Sequence, residues 1–115
     1  MAKNLKTSLQ HEYYWFQETA ITAAAAGATT DMSDAPMGRF ALTVDRTAGT
    51  AAWSVTLELS TDNGVNWETA VLTHNSTTGD GRSLYATDKP ATSMRHNVGT
   101  VGSGNTLTVT TLAIK

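Results

Sequence analysis

The sequence has no cysteine and little charge, since charged side chains make up 16% of its 115 residues. The lack of cysteine excludes disulfide bonds, thiolate nucleophiles and cysteine-ligated zinc sites. Eight basic and ten acidic side chains give a formal net charge of -2, which provides no basic surface for nucleic acid or an anionic membrane. We therefore expect neither as a partner, and we expect stability to come from packing, strand pairing or assembly.

Long apolar runs are also missing. The longest run of small apolar residues, Ala23 to Ala26, is far shorter than the roughly 20 residues that span a bilayer. The N-terminal stretch MAKNLKTSLQHEYYWF is basic but lacks the continuous apolar segment of a secretory signal. We expect a protein made in the cytoplasm and used without export or membrane insertion.

From Gly38 onward, apolar and polar residues alternate with the period of two that is typical of half-buried strands. Three segments show it, GRFALTVDR, AAWSVTLELST and VNWETAVLTH. Their predicted inward positions are Phe40, Leu42 and Val44; Trp53, Val55, Leu57 and Leu59; and Val65, Trp67, Thr69 and Val71. The second and third segments should pair as an antiparallel hairpin.

The remaining chain predicts shorter strands joined by turns. Residues 75 to 83 are rich in turn formers and predict a loop. Short strands are expected near residues 83 to 87 and 93 to 98. In NTLTVTTLAIK the alternation of apolar and polar residues slips at Thr110 and Thr111, which predicts a bulge. Six or so short strands indicate an all-β fold, an antiparallel β-sandwich or a small barrel. One domain with one core fits this length.

Residues 1 to 37 lack this regular pattern and are interpreted as an extended N-terminal arm and linker, with the sandwich body at 38 to 115. The arm carries four adjacent aromatic residues, Tyr13, Tyr14, Trp15 and Phe16. They form a strand in the chain's own sandwich, or they anchor the arm on a neighbouring subunit, because aromatic side chains concentrate interface energy. Both can hold together.

The stretch STDNGVNW matches the Ser-x-Asp-x-Gly-x-x-Trp pattern, the Asp box, that recurs in sialidases. Three residues of this pattern have a structural use in the turn that begins at Ser60. Asp62 accepts hydrogen bonds from backbone N–H groups within the turn, Gly64 supplies a positive φ, and Trp67 returns to the core. Trp53 and Trp67 are expected to stabilise the sandwich. Sialidase chemistry would need a cluster of arginines and a tyrosine nucleophile on a far larger propeller, so a structural turn is the preferred interpretation.

No catalytic, cofactor or metal site is predicted. The sequence has no phosphate-binding loop followed by lysine and no serine nucleophile elbow. His11, His74 and His96 are not spaced as zinc ligands. A calcium site in which Asp80 joins Asp62 or Asp88 is a weaker alternative. We expect a protein that is not an enzyme.

The stretch FALTVDRTAGTAAWSVTLELSTDNGVNWETAVLTH and the closing VGSGNTLTVTTLAIK resemble small virion proteins of tailed bacteriophages. The resemblance covers about residues 38 to 115. It departs from the common pattern at Asn63, where a glycine is frequent, although asparagine tolerates the same turn geometry.

This resemblance implies a structural, non-catalytic protein built on a β-sandwich. The leading hypothesis is a capsid decoration, or cement, protein on the virion surface that binds the outer face of the major capsid protein as a homo-oligomer, with a trimer favoured. A tail, fibre or connector subunit is the second hypothesis. A carbohydrate-binding module, with exposed Trp or Tyr stacking on sugar rings, is the third.

Overall fold

The computed structural model describes residues 5–7, 12–35 and 37–115, which contain nine β-strands and no helix. The strands are β1 Leu5–Thr7, β2 Glu12–Ile21, β3 Thr30–Asp31, β4 Arg39–Ala48, β5 Ser54–Ser60, β6 Glu68–Asn75, β7 Ser83–Ala86, β8 Ser93–Thr100 and β9 Thr106–Ile114. They form two antiparallel sheets packed as a sandwich, which confirms the predicted fold class; across these residues the sheets do not close into a barrel.

The larger sheet has the strand order β1-β2-β9-β4-β7, and the smaller has the order β3-β8-β5-β6. The last strand, β9, lies between β2 and β4 in the middle of the larger sheet. Strands from both ends of the sequence therefore pair directly, and the fold depends on contacts between distant parts of the chain.

The aromatic segment belongs to this sandwich. Strand β2 pairs with β9 from Tyr13 opposite Ile114 to Ile21 opposite Leu107. The structure therefore gives the expected strand in the chain's own sheet, and the sandwich includes part of the region expected to be arm and linker. The parts of the arm at residues 1–4, 8–11 and 36 lie outside the described residues.

The predicted inward faces of β4 and β5 are confirmed. Phe40, Leu42 and Val44 are at most 3% exposed, and so are Trp53, Val55, Leu57 and Leu59. Burying each aliphatic or phenylalanine side chain of this size contributes about 1.5–3 kcal/mol relative to leaving it exposed. These two faces, one from each sheet, make up the centre of the core.

The third alternating segment departs from its prediction. Strand β6 begins at Glu68, and Val65 is 77% exposed in the preceding turn. Ala70 has a positive φ of 55°, and the β5–β6 register shifts between Leu57 and Leu59. Within β6, Leu72 and His74 lie opposite the buried Leu57 and Val55, whereas Thr69 is exposed and Val65 and Trp67 precede the strand. The expected set from Val65 to Val71 therefore does not form the inward face.

The prediction of a bulge in β9 is wrong. The burial of β9 alternates without interruption, and its register with both neighbours is continuous through Thr110 and Thr111. Thr111 is 1% exposed and points inward, so Leu112 and Ile114 point outward. The apparent slip in the alternation therefore arises because apolar residues lie on the outer face of the larger sheet.

Candidate functional site

The outer face of the larger sheet carries a row of apolar residues, one from each of four adjacent strands. Trp15 lies opposite Leu112, Leu112 opposite Ala41, and Ala41 opposite Tyr85. We call Trp15, Leu112, Ala41 and Tyr85 the apolar strip. With neighbouring strands about 4.8 Å apart, its two aromatic ends lie about 14 Å from each other.

The apolar strip is exposed at both ends. Trp15 is 39% exposed and Tyr85 is 72% exposed. In the described part of the chain, they are the two aromatic residues among the large apolar side chains that are exposed. A shallow cavity of about 240 Å³ lies beside Tyr85 and is also lined by Leu112, Ile114 and Arg39. The Arg39 guanidinium is held at its margin by hydrogen bonds to the carbonyl oxygen of Lys115.

The four aromatic residues predicted as arm anchors divide between the two faces of β2. Tyr14 is 1% exposed and belongs to the core. Phe16 is half-buried and stacks on His96, with 6.0 Å between the ring centroids. Trp15 lies on the outer face, where Tyr13 occupies the next row opposite Ile114. In this fold Trp15 and Tyr13 are the two members that lie on the outer face of the larger sheet.

Sequence reasoning missed the other members of the strip, Leu112, Ala41 and Tyr85. The signal for Leu112 was present in the phase slip of TVTTLAIK, because apolar residues that fall out of phase in a regular strand must face outward. Tyr85 carried no such signal. Its place beside Ala41 depends on the β4–β7 pairing, which joins residues about forty positions apart.

The predicted Asp62 turn is built as a closed set of hydrogen bonds. The Ser60 hydroxyl donates to Asp62 Oδ1 at 2.6 Å and accepts from the Gly64 N–H at 2.9 Å. Asp62 Oδ1 also accepts from the Asn66 N–H at 2.8 Å, and Oδ2 accepts from Asn66 Nδ2 at 2.7 Å. Asn63 and Gly64 have positive φ values of 61° and 87°, the left-handed conformation that these two residues adopt most readily.

The two core tryptophans of the prediction occupy different environments. Trp53 is 2% exposed and lies against His74, with 5.0 Å between ring centroids. Trp67 does not return to the core as expected, because it is half-buried in the connection that precedes β6 and lies outside the buried core cluster. The Arg95 guanidinium lies 4.2 Å from the centroid of its ring, and Arg95 Nε donates to the buried carboxylate of Glu58 at 2.6 Å.

The Asp62 turn makes a pH-dependent contribution to stability. Hydrogen bonds from the Ser60 side chain, then from the Asn66 backbone and side chain, lower the pKa of Asp62 from 3.8 to about 2. A carboxyl whose pKa is depressed by folding stabilises the fold above its unfolded pKa, and this contribution is lost as the pH falls from about 4 to 2. We expect Asp62→Asn to lower the melting temperature at pH 7 but to have a much smaller effect near pH 2.

Thermal unfolding followed by circular dichroism at both pH values checks this expectation. Asp45→Asn, which removes an exposed carboxylate from β4 outside the turn, controls for the change in net charge. An Asp62→Asn effect that is as large at pH 2 as at pH 7 would contradict the assigned role of the carboxylate.

Candidate metal ligands do not come together in the described part of the chain. No three His, Cys, Asp or Glu side chains within it are placed to hold a metal ion. Asp80 forms an ion pair with Arg46 at 3.3 Å. His74 and His96 are fully buried; burial lowers the pKa of His96, opposed by its hydrogen bond to Glu18. Among the described residues, no helix is long and apolar enough to cross a membrane.

No protein-family model matches the chain, and no curated protein matches its sequence. Solved structures do match. The SPBc2 prophage-derived protein YomS superposes with a TM-score of 0.60 at 9% identity, covering 90% of this chain and 95% of that chain. The Yersinia pseudotuberculosis-derived mitogen (YPM) gives 0.58 at 10% identity, covering 90% and 86%. At such low identity these matches establish a shared fold, so this chain has the two-sheet architecture of a prophage-derived protein and of a bacterial mitogen.

Proposed function

We propose that this protein is a structural component of a bacteriophage virion, a decoration protein that covers the outer face of the major capsid shell in many copies. The apolar strip would be its docking face. The observation that carries the proposal is that Trp15 and Tyr85 are exposed at the two ends of one continuous row on a regular sheet.

The chemistry of the strip suits a protein partner. Exposed apolar groups grouped in one place mark interaction sites on soluble proteins, whereas scattered ones do not. Tryptophan and tyrosine are the residues that most often dominate binding energy at such sites. The cavity lined by Leu112, Ala41 and Tyr85 is where a projecting apolar side chain of a partner would fit.

The rest of the same sheet face supports this use. Next to the apolar strip, the outward positions of β4 and β9 include Thr43 opposite Thr110 and Asp45 opposite Thr108. Gln17 on β2 donates to the Thr110 hydroxyl at 3.0 Å. These hydroxyls keep the face soluble and offer hydrogen bonds at the rim of an interface, where polar groups normally surround an apolar centre.

The fold and the expected assembly agree with this proposal. A prophage-derived protein shares the two-sheet architecture, and the sequence style from residue 38 resembles phage virion proteins. Assembly as a homo-oligomer, with a trimer favoured, would link several strips into one particle. Each further contact would then be intramolecular, so that modest individual contacts with the major capsid protein give lasting attachment.

A tail, fibre or connector subunit is the alternative within structural proteins. It would use the same apolar strip on a different partner. Mass spectrometry of separated heads and tails distinguishes the two, because a decoration protein is recovered with heads.

The docking role predicts a specific loss of capsid binding. In the double variant Trp15→Ala, Tyr85→Ala, truncation of two aromatic anchors should weaken binding to empty shells of the encoding phage by at least tenfold, about 1.4 kcal/mol or more. Cosedimentation over a range of protein concentrations measures this change. Thermal unfolding should show a small effect, since both side chains are substantially exposed.

Val65→Ala is the matched control. Val65 is more exposed than either aromatic residue but lies in the Asp62 turn, away from the apolar strip. Binding by this variant should equal that of the unmodified protein. If the double variant binds shells as tightly as the unmodified protein, the apolar strip is not the docking face.

A further inference from the structure

A second cavity, of about 570 Å³, lies between the Asp62 turn and the connection from β7 to β8. It falls within the range of roughly 300–1,000 Å³ in which small-molecule sites occur. Its walls include one aromatic ring, Trp67, and five polar side chains, Thr61, Asn66, Glu68, Asp88 and Lys89. It shares no lining residue with the apolar strip.

The Trp67 indole is fixed before any ligand arrives. The Arg95 guanidinium covers it at 4.2 Å, and Arg95 is itself held by Glu58, which also accepts from Asn97 Nδ2 at 3.3 Å. A ring held in this way loses little conformational freedom on binding. The part of the ring that lines the cavity is therefore a preformed apolar platform.

Asn66 is also held in place by the turn. Its backbone N–H and its side-chain amide group both donate to the Asp62 carboxylate. Because the pKa of Asp62 is lowered to about 2, this carboxylate is ionised at neutral pH and keeps both bonds. One N–H of the side-chain amide is used by Asp62, which fixes the orientation of the amide and leaves the carbonyl oxygen Oδ1 of Asn66 to accept a hydrogen bond from a ligand.

The charges in the cavity disfavour an anionic ligand and suit one that donates hydrogen bonds. Lys89 Nζ pairs with Glu68 Oε1 at 2.9 Å, so these two charges offset each other. Asp88 adds a further carboxylate, which makes the group of three acidic overall and unfavourable to anions. Carboxylate and amide oxygens are acceptors for hydroxyl groups.

The geometry points to a binding site for a neutral hexopyranose, either free or at the end of a glycan chain. A pyranose ring presents an apolar C–H face and a rim of hydroxyls. The C–H face would lie on Trp67, as amphipathic ligands pair with aromatic surfaces. The hydroxyls would donate to Asn66 Oδ1 and to the carboxylates of Asp88 and Glu68. A virion protein with this site would attach to glycans independently of its contact with the shell.

Nuclear magnetic resonance titration of the full chain tests the site. Glucose, galactose and N-acetylglucosamine at millimolar concentration are the neutral probes, glucuronate is the anionic comparison, and a glycan array supplies chain-terminal sugars. We expect saturable shifts of the Trp67 indole N–H and the Asn66 side-chain amide with at least one neutral sugar, or capture by a neutral glycan on the array. Glucuronate should bind more weakly.

Asp88→Asn should reduce the affinity about tenfold, because it weakens charge-assisted hydrogen bonds without removing side-chain volume. Trp15→Ala is the matched control, because it removes an exposed tryptophan that does not line this cavity. It should leave sugar binding unchanged. The proposal is overturned by an absence of saturable shifts and of array binding, by tighter binding of glucuronate, or by a loss that follows Trp15→Ala instead of Asp88→Asn. Shell cosedimentation is read separately, so either proposal can fail alone.

Discussion

Replacement of Trp53 by alanine is expected to destabilise the protein by about 3–5 kcal/mol. Trp53 is the largest fully buried side chain, 2% exposed, and it precedes β5 at the centre of the core. Its ring lies against His74, which is itself buried and contacts the Arg82 carbonyl oxygen through Nε2 at 2.6 Å. Neighbours held in this way cannot collapse into the space that the indole leaves.

A loss of that size is a large part of the 5–15 kcal/mol that typically stabilises a domain, so Trp53→Ala could fail to fold. Trp53→Phe keeps the measurement informative. Nothing in the described structure accepts a hydrogen bond from Trp53 Nε1, and phenylalanine removes this buried donor while retaining most of the apolar ring. Urea unfolding should give a clearly smaller loss for Trp53→Phe than for Trp53→Ala, and equal losses would contradict the cavity explanation.

Gly27→Ala is expected to cost about 1–3 kcal/mol through overpacking. A Cβ atom at Gly27 would overlap three atoms of the His96 imidazole. That ring has little room to move, because it is fully buried, stacks on Phe16 and contacts Glu18 Oε1 through Nε2 at 2.7 Å. Displacing the imidazole would break this link between β8 of one sheet and β2 of the other.

Gly38→Ala is the matched control for this substitution. A Cβ atom at Gly38 would have no atom within 4 Å, so the same chemical change should be tolerated there within about 0.5 kcal/mol. Urea unfolding of both variants measures the difference. Similar stabilities for the two would show that His96 adapts and that the contact between the sheets is loose.

The parts of this fold that sequence reasoning predicted well are those set by local chemistry. The alternation around Leu42 and Leu57 fixed which faces are buried, and the residue types in STDNGVNW anticipated the bonds among Ser60, Asp62 and Gly64. Each of these features is decided within a few residues, by side-chain period or by turn geometry.

The parts that were missed depend on distant pairing. Whether the aromatic segment packs on its own chain was settled by its position beside β9, nearly one hundred residues later. The apolar strip likewise exists only because β2, β9, β4 and β7 lie side by side. The role of Trp67 was also beyond local reasoning, since Arg95 and Glu58 come from two other strands.

The proposed role on a phage head is tested most directly by a cryo-electron microscopy reconstruction of the virion. The account predicts copies of this sandwich on the outside of the head, with the outer face of the β1-β2-β9-β4-β7 sheet against the major capsid protein and Trp15 and Tyr85 within the contact. Copies that turn this face to solvent, or particles that lack the protein altogether, would contradict it.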